Sequence, residues 1–186
     1  MQPERTPKFY IPDPEAVIAG PTAMALLESR HREEFEDIIA KYHLEEVVNQ
    51  DWYPLTTNMD MFKEFNNRNN GRSSLVSIGL EVFATAALPE HIDTVEAGLI
   101  LLQQIQELNT RGLAPYQRYE AEVIAEGHIR VTDRSPFPHD LVYGYLYGLV
   151  NRLRPKDADF TVTRHYMNPD NPDSDGAIYE IKWDIV

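Results

Sequence analysis

The chain reads as an α+β protein, with N-terminal helices followed by an antiparallel sheet in β-β-α-β-β order. Three observations predict this. Apolar residues recur at spacings of three and four up to about residue 110, and at spacings of two from Tyr119 onward. The helical stretch of the second half, His139 to Leu153, sits between two pairs of alternating segments. The punctuation, Gly112, Glu126-Gly127 and Pro136-Phe137-Pro138, falls at the seams between them.

Taken in order, residues 1–12 form an extended, proline-punctuated arm, and Asp13-Pro14 with Gly20 marks a short helical turn. The arm therefore covers residues 1–20, and a single α+β domain covers residues 21–186. Pro21 and Thr22 open a helix to about His43, with Leu27, His31, Phe35, Ile38, Ile39 and Tyr42 on its inner stripe. Glu33, Glu34, Glu36 and Asp37 fall mostly on its wet face. The chain breaks at Asp51-Trp52-Tyr53-Pro54, and a short helix follows around Asp60 to Asn66. Asn66 to Gly71 is a loop by composition. Ser73 or Ser74 caps a helix carrying Leu75, Val76, Ile78, Leu80, Val82 and Phe83, which is apolar nearly all round and stops before Pro89. Asp93-Thr94-Val95-Glu96 is like a capping box, and its helix runs to about Thr110 with Gly112 just beyond.

Beyond Gly112 the period becomes two. Tyr119, Ala121 and Val123 alternate with Arg118, Glu120 and Glu122, and Glu126-Gly127 turns the chain into a second strand, His128 to Thr132. The proline corner leads to the helix from about His139 to Leu153. Phe160 to Met167 alternates again. After a loop rich in Asn, Asp and Pro, Tyr179, Ile181, Trp183 and Ile185 face one way, and Glu180, Lys182 and Asp184 the other.

Composition limits the partners. Thirty acidic against 17 basic residues give a net charge of −13, which repels phosphate backbones and anionic membranes and so argues against nucleic acid or a membrane as partner. No stretch approaches the roughly 18 apolar residues that span a bilayer. The N-terminus lacks the apolar core of a signal peptide, and the absence of cysteine removes disulfides and thiolate metal sites, so a cytoplasmic protein is expected.

Several residues invite a functional reading. Gly144 and Gly148 lie one turn apart on the last helix, and each costs a soluble helix about 1 kcal/mol relative to alanine. Close backbone approach by the sheet, another helix or a flat ligand compensates, with sheet packing the simplest. Tyr143 and Tyr147 flank that stripe as pocket walls or amphipathic boundary residues. Arg134, His139 and Asp140 cluster at the proline corner, but neighbours on one helix point about 100° apart, so His139 and Asp140 form no dyad by themselves. Asp140 suits the positive end of the helix. Asn171, Asp173, Asp175 and Gly176 match the first half of a calcium loop, yet Lys182 stands where a bidentate Glu belongs and the flanks read as strands. The histidines show no metal-ligand spacing. A nucleophile elbow, a Walker loop and a dinucleotide fingerprint are absent, which favours binding over catalysis.

Residues 128–153, His-Ile-Arg-Val-Thr-Asp-Arg-Ser-Pro-Phe-Pro-His-Asp-Leu-Val-Tyr-Gly-Tyr-Leu-Tyr-Gly-Leu-Val-Asn-Arg-Leu, resemble the strand-to-helix segment of haem nitric-oxide-binding domains. Ala114-Pro115-Tyr116 and the closing Ile181-Lys182-Trp183 fit the same order. That superfamily also includes vinyl-reductase small-molecule-binding domains and TRAPP trafficking subunits. The resemblance implies a sensory domain for a small apolar or tetrapyrrole-like molecule, bound between the Gly144/Gly148 helix, helix 94–110 and the sheet. Arg134 would contact an anionic group, and Tyr143 and Tyr147 would be walls. Departures from the family pattern point away from haem. Where haem members carry Tyr-x-Ser-x-Arg, this chain has Arg130, Thr132 and Arg134. Helix 94–110 holds Gln103, Gln104, Gln106 and Glu107 but no proximal His, and His91 lies before its cap. The residues therefore name no cofactor. Two alternatives stand on the same fold: an interaction module that forms a homodimer through the glycine face, and a gas sensor that ligates haem through His91.

Overall fold

A computed structural model of the chain describes residues 5–23, 29–30, 32–47 and 51–184. Its elements run β1 (Val17–Ala19), α1 (Gly20–Ala23), a 3-10 turn (Arg32–Phe35), α2 (Glu36–Lys41), α3 (Leu44–Val47), β2 (Trp52–Pro54), α4 (Leu55–Asn66), α5 (Gly71–Thr85), α6 (Val95–Asn109) and β3 (Thr110–Arg111). Then follow β4 (Tyr119–Ala125), β5 (His128–Asp133), α7 (His139–Leu153), β6 (Phe160–Tyr166), a 3-10 turn (Pro172–Ser174) and β7 (Ala177–Trp183). The β-β-α-β-β order of the second half is thus present, and the fold is α+β. No described helix is long and apolar enough to cross a membrane.

The four-stranded sheet has the order β4-β5-β7-β6 and is antiparallel throughout. Its two central strands alternate as the sequence predicts. Ile129, Val131, Ala177, Tyr179 and Ile181 are buried, while Arg130 and Glu180 pair on the outer face. Gly127 takes φ +70 in the β4–β5 turn, a conformation open to glycine at no steric cost. The α7 helix lies between this sheet and α5.

The glycines of α7 meet α5 rather than the sheet. A Cβ on Gly144 would overlap the Val76 carbonyl oxygen and stand 2.9 Å from the Gly79 Cα. A Cβ on Gly79 would in turn overlap the Leu141 carbonyl. The two helices cross glycine to glycine, so their backbones touch, and this contact offsets the propensity cost of both residues.

The N-terminal half departs from its periodicity. The helix expected from Pro21 to His43 is broken into α1, a 3-10 turn and α2, with Leu27 and His31 outside the described residues. The chain turns again at His43, where φ is +52. On an unbroken helix Leu44 would lie roughly 140° around from Ile39. The break lets Leu44 and Val47 join Phe35, Ile38 and Ile39 in one core. Residues 17–20 are not a helical turn either. Val17 and Ile18 are β-branched, and they form a strand between β2 and β3, pairing Ile18 with Tyr53 and Val17 with Arg111. This three-stranded sheet, with strands of two or three residues, was not expected from the sequence.

Other boundaries moved by a few residues. The α4 helix starts at Leu55, five residues before the expected Asp60, because Leu55, Met59, Phe62 and Phe65 make one continuous buried stripe. The α5 helix starts at Gly71, and the serines expected to cap it lie inside it. Ser73 donates to the Asn70 carbonyl and Ser74 to Glu34. Thr94 does cap α6, accepting from the Ala97 amide at 3.2 Å. Ile185 lies outside the described residues.

Candidate ligand cavity

Residues from both halves of the chain line a half-open apolar cavity. The α6 helix turns Leu102, Ile105 and Asn109 toward it, at spacings of three and four. The last turns of α5 add Val82 and Phe83. From β1 and α1 come Ile18 and Thr22, and from the sheet end Tyr119 and Phe137. The inner chamber holds about 90 Å³. It shares Thr22, Val82, Phe83, Ile105, Asn109 and Tyr145 with an outer chamber of about 670 Å³, whose far wall is the loop Ala86–Pro89. Arg152 of α7 fixes that loop by donating to the carbonyls of Phe83 and Ala86, at 2.9 and 2.6 Å. It thereby satisfies carbonyls that the end of α5 leaves open.

Tyr145 joins the two chambers. Its ring meets Phe83 edge to face, with centroids 5.8 Å apart. Its hydroxyl has no hydrogen-bond partner among the described residues. Burial holds its pKa well above the usual phenol range, so it is a neutral donor at any physiological pH. Tyr119 is held neutral in the same way, first by burial and then by Asp133. Gln106 fixes the inner wall. Its Oε1 accepts from the Tyr119 amide at 3.1 Å, and its Nε2 donates to the Gln117 carbonyl at 3.3 Å.

The five residues singled out from the sequence do not converge on this cavity. Gly144 and Gly148 face α5, Gly148 with the Leu80 carbonyl 3.0 Å from where its Cβ would be. Tyr143 and Tyr147 stack at 6.1 Å on the side of α7 that faces β6, with Phe160 4.7 Å from Tyr147 and Arg164 over Tyr143. Arg134 sits at the end of β5, 3.9 Å from Glu120, and its amide bonds the Arg118 carbonyl. The cavity-lining residue of α7 that the sequence did not single out is Tyr145. It lies two positions from both Tyr143 and Tyr147, about 200° around the helix from each, and that offset was the available signal.

The remaining candidates have other partners. Asp140 pairs with Arg164 at 2.8 Å. The buried His139 ring places Nε2 3.0 Å from the Pro172 carbonyl, which assigns the proton to Nε2 and leaves Nδ1 bare, 3.9 Å from Asp133. Asp175 accepts from Thr6 and from the Gly176 amide, and Asp173 lies 3.8 Å from Arg72. Among the described residues no group of three or more His, Asp or Glu is arranged to hold a metal ion.

A haem needs an axial ligand and cations for its propionates. Neither chamber is lined by a described His, Met, Lys or Arg, and His91 is exposed in the loop before α6. The described walls thus do not fit a haem iron.

No family model and no curated protein sequence matches the chain. Solved structures do. An H-NOX protein from S. oneidensis in the Fe(II)NO ligation state superposes with a TM-score of 0.59 at 10% identity, covering 90% of this chain and all of that one. A triple mutant of an S. oneidensis H-NOX protein in the Fe(II) state gives 0.61 at 10% identity, over 90% of this chain and 97% of that one. A T. Tengcongensis H-NOX point mutant gives 0.56 at 12% identity, over 90% and 98%. The fold is therefore that of the haem nitric-oxide-binding, or H-NOX, proteins.

Proposed function

We propose that this chain, on its H-NOX fold, is a ligand-binding sensory domain. It takes a small, mostly apolar molecule that carries one hydrogen-bond acceptor, and it recognises it without an iron. The observation that carries this reading is the Tyr145 hydroxyl, a neutral donor with no described protein partner, set between apolar walls. Tyr145 is half-buried and lines both chambers, so an acceptor on a bound molecule can take the place of water at its hydroxyl. Thr22 and Asn109 offer further polar contacts where the two chambers meet. The alternative of a homodimer through the glycines has less support, because their face is occupied by α5 of the same chain.

Native mass spectrometry of the gently purified chain, beside its optical spectrum, tests this. A non-covalent adduct is expected in the wild type, at clearly lower occupancy in Tyr145→Phe, with no Soret band after haem is added. An adduct retained equally by Tyr145→Phe, or a sharp Soret band, would sink the reading.

A further inference from the structure

The segment Thr6–Ile11 crosses the corner between β5 and α7, and its mode of attachment is unusual. Lys8 is buried, and its ammonium donates at 2.7 Å to both Asp133 Oδ2 and the Ser135 carbonyl, with neither side chain exposed. Burial lowers the pKa of that ammonium, against the opposing pull of Asp133. The Lys8 amide bonds the Asp173 carbonyl at 2.9 Å, the Phe9 amide bonds the Pro136 carbonyl at 2.7 Å, and the Tyr10 carbonyl accepts from Gln117 Nε2 at 2.8 Å. Phe9, between them, has φ +64, a region that a residue with a bulky side chain rarely adopts. A buried ion pair gains little over apolar packing, and a strained backbone opposes it further. A segment kept for stability alone would need neither.

The landing points explain both features. Asp133 stands opposite Tyr119 in the β4–β5 ladder. Pro136 immediately precedes Phe137. The Gln117 carbonyl is held by Gln106. Tyr119, Phe137 and Gln106 all line the inner chamber. Three consecutive residues of the segment are thus each tied to a group one step behind the cavity wall.

We propose that Thr6–Ile11 is the output segment of the cavity, seated by Lys8 on Asp133 and loosened when Tyr119, Phe137 or Gln106 shifts. This rests on the reading of the cavity as the ligand site. Coupling of this kind is reciprocal, so weakening the seat must also alter the wall.

Amide exchange at Thr6, Lys8 and Phe9 in the full chain reads the seat directly, and no ligand is added. Lys8→Gln is expected to speed these amides at least tenfold and to change exchange of the Tyr119 amide, which Gln106 holds. Ile105→Phe, which crowds the inner chamber, and Ile105→Ala, which enlarges it, are each expected to change the three segment amides threefold or more. The Phe160–Val162 stretch of β6 should stay as in wild type. If Ile105→Phe does not fold, Ile105→Ala gives the same reading. Segment amides unchanged in a folded Ile105 variant whose Tyr119 amide does respond would overturn the proposal. That outcome is separate from the adduct experiment: a cavity that retains no ligand leaves the exchange result standing, and a retained ligand does not rescue a segment that fails to respond.

Discussion

At the scale of single residues, the polar groups differ in how far they are withdrawn from solvent. Tyr145 is half-buried at the cavity, whereas Lys8, Asp133 and His139 gather charge and proton sites in the buried layer behind it. His139 shows the consequence for pH. Burial first, then the Lys8 ammonium, pushes its pKa down to about 4, against an ordinary value of about 6.5. Between those values the unfolded chain takes up a proton that the folded chain refuses. Stability from this group is therefore complete above about pH 6.5 and falls as pH drops toward 4, by on the order of 3 kcal/mol in total. Urea unfolding at pH 7 and pH 4.5 checks it: the wild type should lose clearly more stability than His139→Gln. Equal losses would show that the ring is not held neutral.

At the scale of elements, the tightest requirement is the crossing of α5 and α7. Gly144→Ala sets a methyl group against the Val76 carbonyl, and neither backbone can yield without separating the helices. A loss of about 3 kcal/mol is expected, at the upper end for overpacking, although alanine is the better helix former. At Gly148 the nearest backbone atom is 3.0 Å away, so Gly148→Ala should cost much less. Urea midpoints of the two variants should differ accordingly, and similar midpoints would mean the helices are not in backbone contact. The sequence signalled that these glycines need a close neighbour but not which one, because helical period reports a face and not what covers it. The same limit explains Tyr145. Its neighbours Tyr143 and Tyr147 drew notice by flanking the glycines, yet they turn toward Phe160 and Arg164. Arg152 is another residue whose role is visible only in three dimensions, since the carbonyls it holds lie 69 and 66 residues away in the chain.

At the scale of the whole molecule, the second half was legible and the first half was not. Strands β5, β6 and β7 alternate because the sheet has one packed and one open face, whereas edge strand β4 does so only as far as Ala121, and Val123, read from the sequence as facing inward, is exposed. The N-terminal pieces are set by long-range contacts. The strands β1, β2 and β3 span three, three and two residues, too short for any period to emerge. The helix that fits Phe35, Ile38 and Ile39 had to break so that Leu44 could share their core. The cavity draws on both halves, which is why its walls could not be listed from either pattern alone. The proposed reading, an apolar chamber in which Tyr145 is the principal donor, is open to a direct measurement. Methyl-resolved NMR titration with acetophenone, and with ethylbenzene as its acceptor-free counterpart, follows Ile105, Val82 and Leu102. The expected result is saturable shifts at those methyls, with acetophenone bound up to about tenfold more tightly, as one hydrogen bond allows, and that preference lost in Tyr145→Phe. Equal binding of the two probes, or shifts confined to other parts of the protein, would contradict it.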